Sequence, residues 1–175
     1  MTETELTYPA DLINVDNLVD ADTRLLLDLA RTGEISEADR LAREIRKREF
    51  GLYRDDAFLD IVAGDTLLRA GESRAAIARY DNAVFRTDLL INPRLRYASL
   101  AGHYGLGLAD LLRANVWTMV CELRSAAAIA QDLRYCGHAG LERLAETILP
   151  RIEAMRRDAR VIASRNGAHA EPVPT

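Results

Sequence analysis

The chain of 175 residues has one lysine, Lys47, and one tryptophan, Trp117; the rest of its 23 basic residues are arginine. That bias reads as the mark of a GC-rich bacterial genome, not as a function. No apolar run approaches the ~20 residues of a membrane span. The start, "MTETELTYPADL", lacks the basic and apolar regions of a signal peptide. Both absences point to a cytoplasmic protein that does not enter a membrane. Two cysteines and three histidines are too few, and too scattered, for a metal centre. No H-E-x-x-H and no paired C-x-x-C occurs. Cys121 and Cys136 read as buried structural thiols. On one shared helix they would lie roughly 22 Å apart, out of disulfide reach. Alternation of Val, Ile and Thr is also absent, which excludes an ordinary strand pattern.

What remains is a helical composition. Apolar residues make up 49% and charged residues 29%, as in a globular chain. The net charge of -4 argues against non-specific nucleic-acid binding. Arg151, Arg156, Arg157, Arg160 and Arg165 cluster near the end, but Glu153 and Asp158 interrupt them. Residues 1 to 22 carry six carboxylates and no base. Ala, Leu, Arg and Glu dominate from about 20 to 163, which predicts about seven helices with short connections. Joints are predicted at 32 to 36, with Ser36 as a cap, and at 50 to 56, 69 to 73, Asn92-Pro93, 113 to 115 and 135 to 140. The domain is expected over 21–163, after a partly ordered acidic segment (1–20) and before a flexible tail (164–175).

Three joints share one signature. "LARTG" ends at Gly33, "LLRAG" at Gly71 and "LLRAN" at Asn115. Gly and Asn accept the left-handed conformation at a helix C-terminus, and arginine in the last turn complements the helix dipole. The joints are 38 residues apart (33 to 71) and then 44 (71 to 115). Recurring helix–turn–helix units of this size indicate a helical repeat.

The central unit, about Phe58 to Pro93, resembles a tetratricopeptide repeat (TPR). Gly64, Leu67, Gly71, Ala76, Ile77, Tyr80 and Ala83 carry the resemblance. It implies that Gly64, Ala76 and Ala83 let two helices approach closely and that Tyr80 fills the space between units. Asp60 stands where the family has an aromatic residue, and Pro93 comes five residues late. A first unit (Leu29, Gly33, Ala38, Ala42) and a third (Leu106-Gly107, Val116, Met119, Leu123, Ala126) match more loosely.

The expected fold is therefore all-α: a short right-handed α-solenoid of about three helix-turn-helix (TPR-like) hairpins with a C-terminal capping helix. The cap is read from an apolar stripe at Leu141, Ala145, Ile148, Ile152, Met155, Ala159 and Ile162, into which Pro150 should introduce a kink or a fresh start. The resemblance implies a concave groove lined by the first helix of each unit. Arg31, Phe58, Ile61, Asp65, Leu68, Arg69, Tyr97, His103 and Tyr104 would face it. The expected function is that of a non-enzymatic scaffold, adaptor or chaperone; secretion chaperones are one version. It would hold a peptide or helix of another protein, with no cofactor. The glycines of "YGLGLADLL" follow no strand and do not read as a phosphate loop. "YCGHAG" reads as a turn with a half-buried cysteine. Two other readings stand beside this one. One is a small-molecule sensor or all-α enzyme with its site inside the bundle. The other is a homodimeric subunit joined through 141–162.

Overall fold

The computed structural model describes residues 7–48, 55–88 and 91–165; the side chains of 48, 160 and 162–165 are not described. Most of the joint expected at 50 to 56, the first six residues, Ile162 of the stripe and the tail from 166 therefore lie outside it. Among the described residues every regular element is helical. The chain begins with a four-residue helix α1 (Pro9–Leu12) and a 3-10 turn (Val15–Asn17). Three helix pairs follow: α2 (Ala21–Arg31) with α3 (Ile35–Arg48), α4 (Asp56–Arg69) with α5 (Ser73–Thr87), and α6 (Pro93–Leu112) with α7 (Val116–Leu133). The last helix is α8 (Ala139–Arg165).

Local chemistry sets the helix starts. The Asp20 carboxylate accepts the Thr23 N–H at 2.8 Å and caps α2. Asn92 does the same for α6 through the Arg94 N–H, and Pro93 occupies the first helical turn. Ser36 is not the cap of α3: the helix begins at Ile35, one residue earlier, and the Glu34 carbonyl accepts its first bonds.

The helix ends repeat one geometry. Gly33 and Gly71 both have positive φ, 90° and 82°. At each, the following N–H reaches back six residues in the count (Glu34 to Leu29, Glu72 to Leu67), and the glycine N–H bonds a nearer carbonyl. These are Schellman ends. The third joint has the same bonds, Asn115 to Asp110 and Ala114 to Leu111. Its left-handed residue is Ala114, φ 57°, not Asn115 as expected from sequence. The three equivalent positions are thus 33, 71 and 114.

Packing runs in sequence order. Within each pair the helices touch, α5 packs on α6, and α7 packs on α8. The first helices also touch one another, α2 on α4 and α4 on α6. Tyr80 of α5 is fully buried where α4 and α6 meet it. A Cβ on Gly64 or on Gly105 would come within 2.6 Å of its ring, so glycine alone fits at both places. Gly107 likewise makes room for Leu123. The glycines of "YGLGLADLL" are packing residues.

α8 packs mainly on α7 and more lightly on α6. Ala145, Ile148, Ile152 and Ala159 are buried there, and Leu141 and Met155 partly so. Pro150 is exposed, and α8 is continuous across it from Ala139 to Arg165. One cysteine departs from the buried-thiol expectation, and the other matches the turn read in "YCGHAG". Cys121 is exposed on α7, and only Cys136, in the turn before α8, is half-buried.

Asp60 does not leave a hole where the family has an aromatic. Its carboxylate is buried and ion-paired with Arg79 at 3.0 Å and Arg86 at 3.2 Å; Arg79 also holds Asp39 of α3. Asp56 pairs with Arg46 and Arg86, and Asp55 with Arg94. A polar cleft of about 210 Å³ runs between α3, α4 and α5 along these pairs. Burial pushes the Asp55 and Asp60 carboxyls upward against the pull of their arginines.

Candidate functional site: the face shared by α2, α4 and α6

The first helices of the three pairs share one face, and residues 7–19 lie on it. α1 packs against both α4 and α6. The segment is two-sided. Ala10, Leu12, Ile13, Val15, Leu18 and Val19 are buried, whereas Asp11, Asn14 and Asn17 are exposed. Its own backbone bonds are local: Leu12 to Tyr8, Ile13 to Pro9, Leu18 to Val15. It forms no ladder with the bundle. It is held by its apolar side chains and by polar groups that reach up from the three helices.

Asp65 of α4 is the centre of that contact. Its side chain is buried. One oxygen accepts the Ala10 N–H at 2.8 Å, and the other accepts the Tyr80 hydroxyl at 2.8 Å. Burial outweighs both bonds and pushes the carboxyl up to about 7; the Arg69 charge pulls the other way. The Tyr80 hydroxyl is raised as well, by burial and by the neighbouring carboxylate. One turn on from Asp65, Arg69 pairs with Asp11 at 2.9 Å and covers the Tyr8 ring, 4.0 Å from its centroid. From α6, the Tyr104 hydroxyl donates to the Thr7 carbonyl at 3.1 Å; burial lifts that hydroxyl to about 12. From α2, Arg31 holds both oxygens of Asp16 at 2.9 Å, and Arg24 Nε donates to the Asp16 carbonyl at 3.0 Å. A segment with two carboxylates, Asp11 in α1 and Asp16 in the 3-10 turn, is thus met from three helices at once.

Of the nine residues assigned to the groove from sequence, four meet this segment through polar groups: Arg31, Asp65, Arg69 and Tyr104. Leu68 is buried beside them on α4. Phe58, Ile61 and Tyr97 are core residues with no exposed surface. Arg94 lies over the Phe58 ring, and the Tyr97 hydroxyl donates to the Leu141 carbonyl of α8. His103 turns away from the face. Its Nδ1 is 2.6 Å from Glu122 of α7, and its Nε2 is 3.6 Å from Asp88. The lining residues that sequence reasoning missed are Thr7, Tyr8, Ala10, Asp11 and Asp16. Their acidity reads as a solvated tail, and a four-residue helix has no period to detect. The spacing of Ile13, Val15, Leu18 and Val19 is the one signal that could have shown burial.

Beyond the 3-10 turn the face opens into a cavity of about 690 Å³. Ile13, Leu18, Leu141 and Leu144 give it apolar walls. Asn14, Arg94 and His138 give it polar ones. The starts of α6 and α8 both border it. Among the described residues no cluster of His, Cys, Asp and Glu is arranged to hold a metal ion, and no helix is long and apolar enough to cross a membrane. No protein-family model, curated protein or solved structure matches the chain.

Proposed function

We propose that this chain is a protein-interaction module, a scaffold, adaptor or chaperone of the cytoplasm without catalytic activity, built as a short right-handed solenoid of TPR-like hairpins with α8 as its cap. The three equivalent helix ends at 33, 71 and 114 support the repeat. So does the order of contacts, in which α2, α4 and α6 touch in succession. The observation that carries the function is the seating of residues 7–19. A peptide segment lies on the shared first-helix face through its apolar side chains, one backbone N–H, one backbone carbonyl and two carboxylates. Those are the groups that any peptide offers to a binding groove. Arg and Tyr supply most of the polar grip, as they do in interface hot spots.

Site-specific photo-crosslinking tests this reading. A photoreactive residue would replace Asp28, exposed beside Arg31 at the edge of the face, or Arg124, exposed on α7, as the control. In the native host, position 28 should trap a protein of defined mass and position 124 should not. Trapping from 124 alone, or from no position, would remove the groove as the site of action.

The cavity between the 3-10 turn and α8 favours one second reading, a small-molecule sensor. Its apolar walls beside Arg94 and His138 suit an organic anion with an apolar body. A thermal-shift screen of aliphatic and aromatic carboxylates would reveal it, and a screen without any shift would remove it. The dimer reading has less to stand on, because Ala145, Ile148, Ile152 and Ala159 of the stripe are buried within the chain.

A further inference from the structure

The face is already occupied, and its occupant is part of the same chain. We infer that residues 7–19 are a tethered stand-in for the partner, and that the partner docks by presenting a segment of the same chemistry in their place. This inference rests on the proposed function and specifies its ligand. The ligand is a short amphipathic turn with an aromatic–proline start, a carboxylate two or three residues later, and four to six apolar side chains on one side.

Three features support exchange over permanent burial. The segment makes no backbone pairing with the helices; its fixed contacts are side-chain contacts, and every one of them is available to a peptide. Its outer side faces solvent through Asp11, Asn14 and Asn17, so among the described residues it forms the outer layer over the α4–α6 face. It runs into α2 through the exposed Asp20. Its recognition also has direction. Arg69 reads both the ring of Tyr8 and the carboxylate of Asp11, while Asp65 takes the N–H of Ala10 between them. A segment entering backwards would reverse its N–H and C=O groups, and Asp65 and Tyr104 would lose the Ala10 N–H and the Thr7 carbonyl.

The tether explains how such a face stays closed to weak ligands. A short linker holds a segment at an effective concentration of about 1 mM. If the free segment binds with a Kd of about 10 µM, it is seated about 99% of the time. A competitor then binds about a hundredfold more weakly than to the open face.

The test uses the full chain with a protease site inserted between Val19 and Asp20, cleaved under native conditions. The probe is a fluorescent synthetic peptide of residues 7–19, followed by anisotropy. The uncleaved chain should bind it about a hundredfold more weakly than the cleaved chain. Asp11→Asn in the peptide should weaken binding about two- to fivefold, as for a largely exposed ion pair; Arg69→Ala in the protein should weaken it further, because the Tyr8 ring contact is lost too, and the two together no more than Arg69→Ala alone. Circular dichroism should show that the helices persist after the segment leaves. The inference is overturned if the cleaved chain unfolds on release, or if it keeps its own segment against a large excess of probe for a day. It is also overturned if Asp11 and Arg69 prove indifferent. Failure here with crosslinking still found at position 28 would leave the interaction module standing. Exchange without any crosslinked partner would remove that module and spare the exchange.

Discussion

Gly105→Ala should destabilise this protein, although the same change is favourable in most helices. The ordinary expectation is a gain of about 1 kcal/mol, because alanine restricts the unfolded chain and suits the helix. The structure opposes it. A Cβ at 105 would lie 2.6 Å from Tyr80 Cε1 and 2.7 Å from Cδ1. Carbon atoms in contact prefer about 3.5–4.0 Å, so the ring must retreat by about 1 Å. It has little freedom to do so. The same edge of the ring lies against Gly64, and the hydroxyl is anchored on Asp65. Overpacking of this kind costs about 1–3 kcal/mol. Taking the upper end for a pinned aromatic ring and subtracting the helix gain leaves a net loss of about 2 kcal/mol. For a domain of this size that lowers Tm by about 4–8 °C. Urea denaturation followed by circular dichroism would measure it, with Gly140→Ala as the control. Nothing lies within 4 Å of a Cβ at 140, so that change should be neutral or stabilising. Tyr80→Leu combined with Gly105→Ala should cost less than the sum of the single changes, because the leucine vacates the contested space. If Gly105→Ala and Gly140→Ala behaved alike, the close approach at Tyr80 would not exist as described.

Four further outcomes follow from the same reasoning. Ala114→Gly should stabilise by about 1 kcal/mol, since alanine holds a left-handed φ of 57° that glycine adopts freely; equal urea midpoints for the two chains would contradict it. Gly71→Val should cost about 2 kcal/mol despite open space around it, because a β-branched residue resists φ 82°; an unchanged Tm would refute that. Arg79→Met should cost about 1–3 kcal/mol, less than the full loss of a buried pair, because Arg86 still faces Asp60; denaturation midpoints check it. The pH profile should carry the mark of Asp65. Its folded pKa of about 7 lies above the ordinary 3.8. Between those values the folded chain holds a proton that the unfolded chain has released, so stability falls as pH rises from about 4 to about 7 and then levels. The groups facing it, Tyr80 from α5, Arg69 beside it on α4 and Asp11 from α1, act on the same titration. Asp65→Asn should remove a slope of up to about 1.4 kcal/mol per pH unit from that window; parallel profiles for the two chains would refute the assignment.

Legibility from sequence divides along physical lines. The helix ends at Gly33 and Gly71 were readable because only glycine takes that φ without strain. The third end was misplaced by one residue because Ala114 carries the strain there, and Asn115 is the residue that composition points to. Gly64 and Tyr80 were legible through the resemblance, which implies a close helix approach at the first and a filled space between units at the second; the two residues meet each other. Gly105, the other side of that contact, was not, because its partner is about 25 residues away in the chain. Phe58, Ile61 and Tyr97 were placed in a groove and lie in the core. Hydropathy ranks both environments alike, and only the packing of α6 and α8 separates them. His103 went to the wrong side of α6 because one residue of register turns a helical side chain by about 100°. The strap at 7–19 was the largest loss. Its acidity reads as solvation, and the arginines and tyrosines that receive it are on helices far along the chain.

Native-state amide hydrogen exchange on the intact chain tests the central claim most directly. Lifting of the strap should be a local opening, with Ala10, Leu12 and Ile13 exchanging through a transition of lower free energy than the amides of α4 and α6. Asp11→Asn should accelerate exchange in residues 7–19 alone and leave the helices unchanged. If instead the strap and the two helices exchanged together, at the free energy of global unfolding, the segment would be an inseparable part of the core. The face would then have no occupant to exchange.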